Sequence, residues 1–134
     1  MIGIMIVSHG KLAEGFKDAI TMIAGKQPKL EVVSLQSGDN MDEFKQRIGA
    51  CIRSLDDGSG CWVFTDLFGA SPANSSAYWM ENKVQVIAGV NLAIILEALG
   101  MRETTCNFES ASSLIEAGKD AMVSLNAFFP EKAG

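Results

Sequence analysis

The chain has 134 residues, 48% of them hydrophobic and 20% charged, which fits one globular domain, residues 1–134, and is too apolar for a disordered chain. A core of that size forms without help from disulfides or metals. The formal net charge of −5 argues against a nucleic-acid or anionic-membrane surface, since such surfaces need clustered Lys and Arg.

The apolar start Met1–Val7 lacks a basic flank and is too short for a signal peptide or a membrane span, so a cytoplasmic location is expected. Residues 2–7 are almost all aliphatic, as in a strand covered on both faces. From Lys11, the residues Leu12, Phe16, Ala19, Ile20 and Ile23 form one helical stripe, ended by Gly25 and Pro28. Leu30–Leu35 reads as a strand, and its Glu31 and Ser34 suit a sheet edge.

Asn40 predicts an N-cap, with Glu43 three residues on to return the hydrogen bond. A helix follows along Met41, Phe44, Ile48, Cys51, Ile52 and Leu55. The unbroken run Cys61–Thr65 predicts an interior strand beside the first. Ser71-Pro72 predicts a helix start with Ser71 as the cap, running to about Met80. A fourth strand is expected over Val84–Ala88. A helix capped by Asn91 and closed by Gly100 follows it, then another over about Ser110–Gly118. The final apolar run, Ala121–Leu125, has the length of one more strand.

This alternation predicts an α/β fold: a doubly wound four-stranded parallel sheet, order 2-1-3-4, with right-handed crossovers. The order reverses between the first and third strands, where such sheets build their sites. The sole histidine, His9, leaves the first strand there, and Asp66 leaves the third. Asp66 has two readings, a turn cap and a carboxylate that fixes one imidazole nitrogen so that the other attacks phosphorus. The backbone amides of Gly10–Leu12 and Gly69–Ala73, with the Ser71 hydroxyl, are candidate donors to a phosphoryl group. Phe68 either folds into the core or meets a docking partner.

Cys51, Cys61 and Cys106 are odd in number and show no C-x-x-C spacing; with a single histidine they make no metal set. They read as buried thiols in a reducing compartment. No metal and no cofactor is expected. Neither G-x-G-x-x-G nor G-x-x-x-x-G-K-[ST] occurs, and Gly69-Ala70-Ser71-Pro72-Ala73 lacks the second glycine of a hydrolase elbow, which disfavours a Ser71–His9–Asp66 hydrolase.

Ile6-Val7-Ser8-His9-Gly10, Asp66-Leu67-Phe68-Gly69-Ala70-Ser71-Pro72-Ala73-Asn74 and Val86-Ile87-Ala88-Gly89-Val90-Asn91-Leu92 together resemble the IIA component of the mannose family of bacterial phosphoenolpyruvate-dependent sugar phosphotransferase systems. The likeness runs from residue 1 to about residue 126. It implies a phosphohistidine carrier in which His9 accepts phosphate from phospho-HPr on Nε2 and passes it to a IIB component. The IIC and IID membrane subunits then act downstream. It also implies that Asp66 orients His9. From the residues themselves, Ser71 is expected to receive phosphoryl oxygens, and Gly10, Leu67 and Phe68 are the candidates to face partner proteins. The resemblance implies a homodimer as well, in which an antiparallel C-terminal strand, about residues 121–126, is exchanged between copies.

Many relatives have two glycines where this chain has Gly69-Ala70, and a proline where it has Ala93. Those departures bear on loop detail and sugar branch, not on His9 or Asp66. The end at Gly134 without a linker gives the expectation of a separate subunit. The alternative is a regulatory or binding module of the same fold, including the phosphotransfer subunit of dihydroxyacetone kinase.

Overall fold

A computed structural model describes residues 1–104 and 111–133. Four strands, β1 (Gly3–His9), β2 (Leu30–Leu35), β3 (Cys61–Thr65) and β4 (Val84–Ala88), form one parallel sheet in the order β2-β1-β3-β4. The expected order and the edge position of β2 hold. Between the strands run α1 (Leu12–Ala24), α2 (Met41–Leu55) and α3 (Ser71–Ala77), and α4 (Leu92–Thr104), α5 (Ala111–Asp120), α6 (Leu125–Phe128) and α7 (Pro130–Ala133) follow β4.

Strand alternation divides the core in two. Ile2, Ile4, Ile6, Trp62 and Phe64 face one side, under Ala13 and Ile20 of α1, Ile94 and Ile95 of α4, and Leu114 of α5. Met5, Val7, Cys61 and Val63 face the other, under Phe44, Ile48 and Ile52 of α2. Residues 2–8 are buried because helices cover both faces, which is why β1 carries no alternating polar pattern. Close approach on the second face depends on Gly49. A Cβ there would enter the Trp79 indole, whose Nε1–H donates to the Lys45 carbonyl at 2.9 Å.

Two of the predicted caps form. The Asn40 side chain accepts from the Glu43 amide at 3.0 Å, and the Asn91 side chain accepts from the Ile94 amide at 2.9 Å. Among the described residues Glu43 returns no bond to Asn40. Helix α3 is capped by the backbone of Ala70 and not by Ser71, which already lies inside the helix. The helix stops at Ala77, short of Met80, and Trp79 turns back onto α2.

Helix α4 runs through Gly100 to Thr104 instead of ending there. The reason is Arg102, 5% exposed, whose guanidinium donates to the carbonyls of Ile2, Lys29 and Pro28 at 3.1, 3.2 and 2.7 Å. These bonds anchor the last turn under the sheet, and they outweigh a glycine's cost of roughly 1 kcal/mol.

The expected C-terminal strand does not form within the single chain. Among the described residues, 121–124 pair with no strand of the sheet. Ser124 instead accepts from the Ala127 amide at 3.4 Å and caps α6. The apolar side chains Met122, Val123, Leu125 and Phe128 are left exposed.

Cys61 is buried and Cys51 only half-buried, while Cys106 lies outside the described residues, as does the expected helix start at Ser110. Burial pushes the Cys61 thiol up to about 12 and the Cys51 thiol up to about 11, with the Glu31 charge adding to the latter. Among the described residues no helix is long and apolar enough to cross a membrane.

Candidate phosphoryl-transfer site

The site is built by register. In the β1–β3 ladder Val7 lies opposite Thr65, so His9 and Asp66 emerge next to each other from the carboxyl ends of the two central strands. By alternation His9 points to the same face as Met5 and Val7, and Ser8 points to the opposite face. The Asp66 carboxylate then closes the gap. Its Oδ2 lies 2.7 Å from the His9 ring Nδ1 and accepts from the His9 amide at 2.8 Å, and its Oδ1 accepts from the Leu67 amide at 2.9 Å.

This arrangement fixes the charge of the acid and the tautomer of the ring. Burial of Asp66 works to raise its pKa. The hydrogen bonds from the His9 amide, the His9 ring and the Leu67 amide more than reverse that, and hold the carboxyl below its ordinary value. An ionised carboxylate only accepts, so Nδ1 of His9 must be the donor. In a neutral ring the lone pair is then on Nε2. The His9 side chain is 50% exposed and that of Asp66 9% exposed, so the nucleophile meets solvent while its partner stays sheltered.

The donors expected around a phosphoryl group divide. Gly10, in the left-handed region at φ +53°, has its amide taken by the Leu35 carbonyl at 2.7 Å, which removes it from the set. Its role is the turn, because that φ suits a residue without Cβ. The Ala70 amide is taken by Leu67. Among the described residues, no bond engages the amides of Lys11, Leu12, Gly69, Ser71 and Ala73 or the Ser71 hydroxyl, and Ser71 is half-buried at the start of α3.

Leu67 and Phe68 are 62% and 88% exposed, so Phe68 does not fold into the core. Leu12, expected only as part of a helical stripe, is half exposed at the start of α1. Sequence reasoning also passed over Ser8. Its signal was a hydroxyl continuing the otherwise aliphatic row Ile2, Ile4, Ile6. Among the described residues no group of three or more His, Cys, Asp or Glu is placed to hold a metal ion.

Known proteins resemble this chain over most of its length. A family model described as "PTS system fructose IIA component" matches residues 3–116. The chain is 30% identical over 135 residues to the PTS system mannose-specific EIIAB component of Escherichia coli K12, covering 98% of this chain and 42% of that protein. It therefore spans less than half the length of that relative. It is also 28% identical over 105 residues to the PTS system fructose-specific EIIA component of Bacillus subtilis, covering 77% of this chain and 72% of that one.

Among solved structures, the mannose/sorbose specific IIA subunit of the phosphotransferase system from Enterococcus faecalis is similar with a TM-score of 0.82 at 25% identity, over 92% of this chain and 93% of that one. The EIIA component from Streptococcus agalactiae shares the fold, with a TM-score of 0.86 at 24% identity over 95% and 99% of the two chains. The chain belongs to the mannose family of IIA components of the sugar phosphotransferase systems.

Proposed function

We propose that this IIA component carries phosphate on Nε2 of His9, receiving it from phospho-HPr and giving it to a IIB component. The observation that carries the reading is the 2.7 Å contact between Nδ1 of His9 and Asp66, which frees Nε2 as the nucleophile. The Nε2 lone pair attacks phosphorus, an Nε2–P bond forms, and the N–P bond to the donor's histidine breaks. Its electron pair stays with that histidine. The ring gains positive charge in this step, and Asp66 opposes it through the Nδ1–H bond. The Ser71 hydroxyl and the amides of Lys11, Leu12 and Ser71 receive the phosphoryl oxygens, and no metal or cofactor takes part.

Phe68 and Leu67 beside Asp66, with Gly10 beside His9, form the surface on which HPr and IIB dock in turn. An exposure of 88% for a phenylalanine next to the nucleophile supports that use. The carrier works in the cytoplasm, and sugar enters through IIC and IID membrane subunits. It acts as a homodimer. In support, β4 ends the sheet with no further strand beyond it among the described residues, and an apolar groove of about 510 Å³ lies beside it, lined by Ala77, Met80, Val86, Ile87 and Ile115. The exposed residues 121–126 of a second copy would lie along β4 as an antiparallel strand.

Incubation with phosphoenolpyruvate, enzyme I and HPr should give one acid-labile phosphate per chain, absent in His9→Ala and discharged by a IIB protein. Label retained in His9→Ala would refute the site. A bound phosphate that no IIB protein accepts would favour a regulatory module on the same fold.

A further inference from the structure

Ser8 is fully buried and continues the row of side chains set by Ile2, Ile4 and Ile6. A hydroxyl in that row is costly unless bonded, since an unpaired one loses its water with no return. Ser8 is bonded twice. Its Oγ accepts from the Ala13 amide at 2.7 Å and donates to the His9 carbonyl at 3.1 Å. Both bonds bear on the same short turn, in which Gly10 leaves the sheet at positive φ and α1 begins. The residue at the helix start, Lys11, contributes no side-chain cap, so Ser8 caps α1 from within the strand.

We infer that Ser8 is a positioning residue for phosphoryl transfer: its buried hydroxyl ties the His9 carbonyl to the first turn of α1 and so fixes the backbone from which the His9 ring is aimed. The inference rests on the phosphocarrier reading above. The two ends of His9 are held by different residues, the amide by Asp66 and the carbonyl by Ser8. With both peptide groups held, only the two side-chain torsions remain, and the bond from Nδ1 to Asp66 settles them. Nε2 then has one direction in which to meet phosphorus, as an in-line displacement requires.

Three variants separate positioning from mere stability. Ser8→Ala removes both bonds. Ser8→Cys keeps the shape but replaces a strong hydrogen-bonding group with a weak one. Ser8→Thr keeps the hydroxyl. Transfer from phospho-HPr is measured on the full chain at a temperature where each variant is folded, together with the ¹⁵N shifts of the His9 ring. The expected result is a roughly tenfold fall in kcat, at unchanged KM, in Ser8→Ala and Ser8→Cys, with His9 ring shifts moved toward those of a mobile imidazole. A tenfold fall corresponds to about 1.4 kcal/mol. Ser8→Thr should transfer within about twofold of the unsubstituted chain.

Should Ser8→Ala fail to fold, Ser8→Cys decides alone. Unsubstituted rates and ring shifts in Ser8→Cys, or an equal loss in Ser8→Thr, would overturn the inference while leaving the carrier reading intact. Failure of that reading would show separately, as phosphate retained in His9→Ala with Ser8 unsubstituted.

Discussion

Asp66 Oδ2 accepts from both the amide and the ring Nδ1 of His9, at 2.8 and 2.7 Å, so one carboxylate oxygen grips the residue 57 positions before it at two points. One grip places the backbone and the other turns the ring, and neither alone would fix Nε2.

Asp66→Ala should slow phosphoryl transfer by about 10- to 100-fold, the effect of one charge-assisted hydrogen bond of roughly 1.5–3 kcal/mol. Single-turnover transfer from phospho-HPr measures it. A rate within twofold of the unsubstituted chain would reduce Asp66 to a turn residue.

The same carboxylate gives a pH dependence of stability. Burial raises its pKa, but the His9 and Leu67 hydrogen bonds carry it below the ordinary value, so the folded value is the lower one. Stability from these bonds is complete above the unfolded carboxyl's titration near pH 4 and is lost as pH falls through the folded value. Urea unfolding should therefore show the unsubstituted chain and Asp66→Ala converging as pH falls below the ordinary carboxyl range of about pH 4. A gap that widens as pH falls would mean the bonds are absent in solution.

Gly49→Ala tests the packing of α2 on Trp79. The new methyl would enter the indole, and the Trp79 bond to the Lys45 carbonyl keeps the ring from moving aside. A loss of roughly 1–3 kcal/mol in denaturant unfolding is expected, with transfer per folded molecule unchanged because the contact lies away from His9. A neutral substitution would show that the ring has room to shift.

Cys61 and Cys51, raised to about 12 and about 11 chiefly by burial, should resist alkylation in the native protein at pH 8. Mass spectrometry after iodoacetamide would show both unmodified, and both modified in urea. Rapid native labelling of Cys61 would contradict the buried face formed with Val63 and Met5.

The sheet order was legible because apolarity ranks strands by burial. Continuous Ile and Val in β1 and Trp62, Val63 and Phe64 in β3 mark strands with helices on both faces, and Glu31 marks the edge. The pairing of His9 with Asp66 followed from that order. Caps at Asn40 and Asn91 were legible because an asparagine before an apolar stripe has few other uses. What pattern alone misread depended on distant partners. Gly100 suggested a helix end until Arg102 reached the carbonyls of Ile2, Pro28 and Lys29. Ser71 suited the cap of α3, but the loop from Asp66 brought Ala70 to that position first. Ser8 had no reading of its own, and its bond from the Ala13 amide appears only when α1 folds back over β1.

The most direct test is a ¹H–¹⁵N and ³¹P spectrum of the phosphorylated chain. It should show phosphorus coupled to Nε2 of His9 while Nδ1 keeps a proton slowed in exchange by Asp66. Phosphorus coupled to Nδ1, or carried on any residue other than His9, would contradict the account.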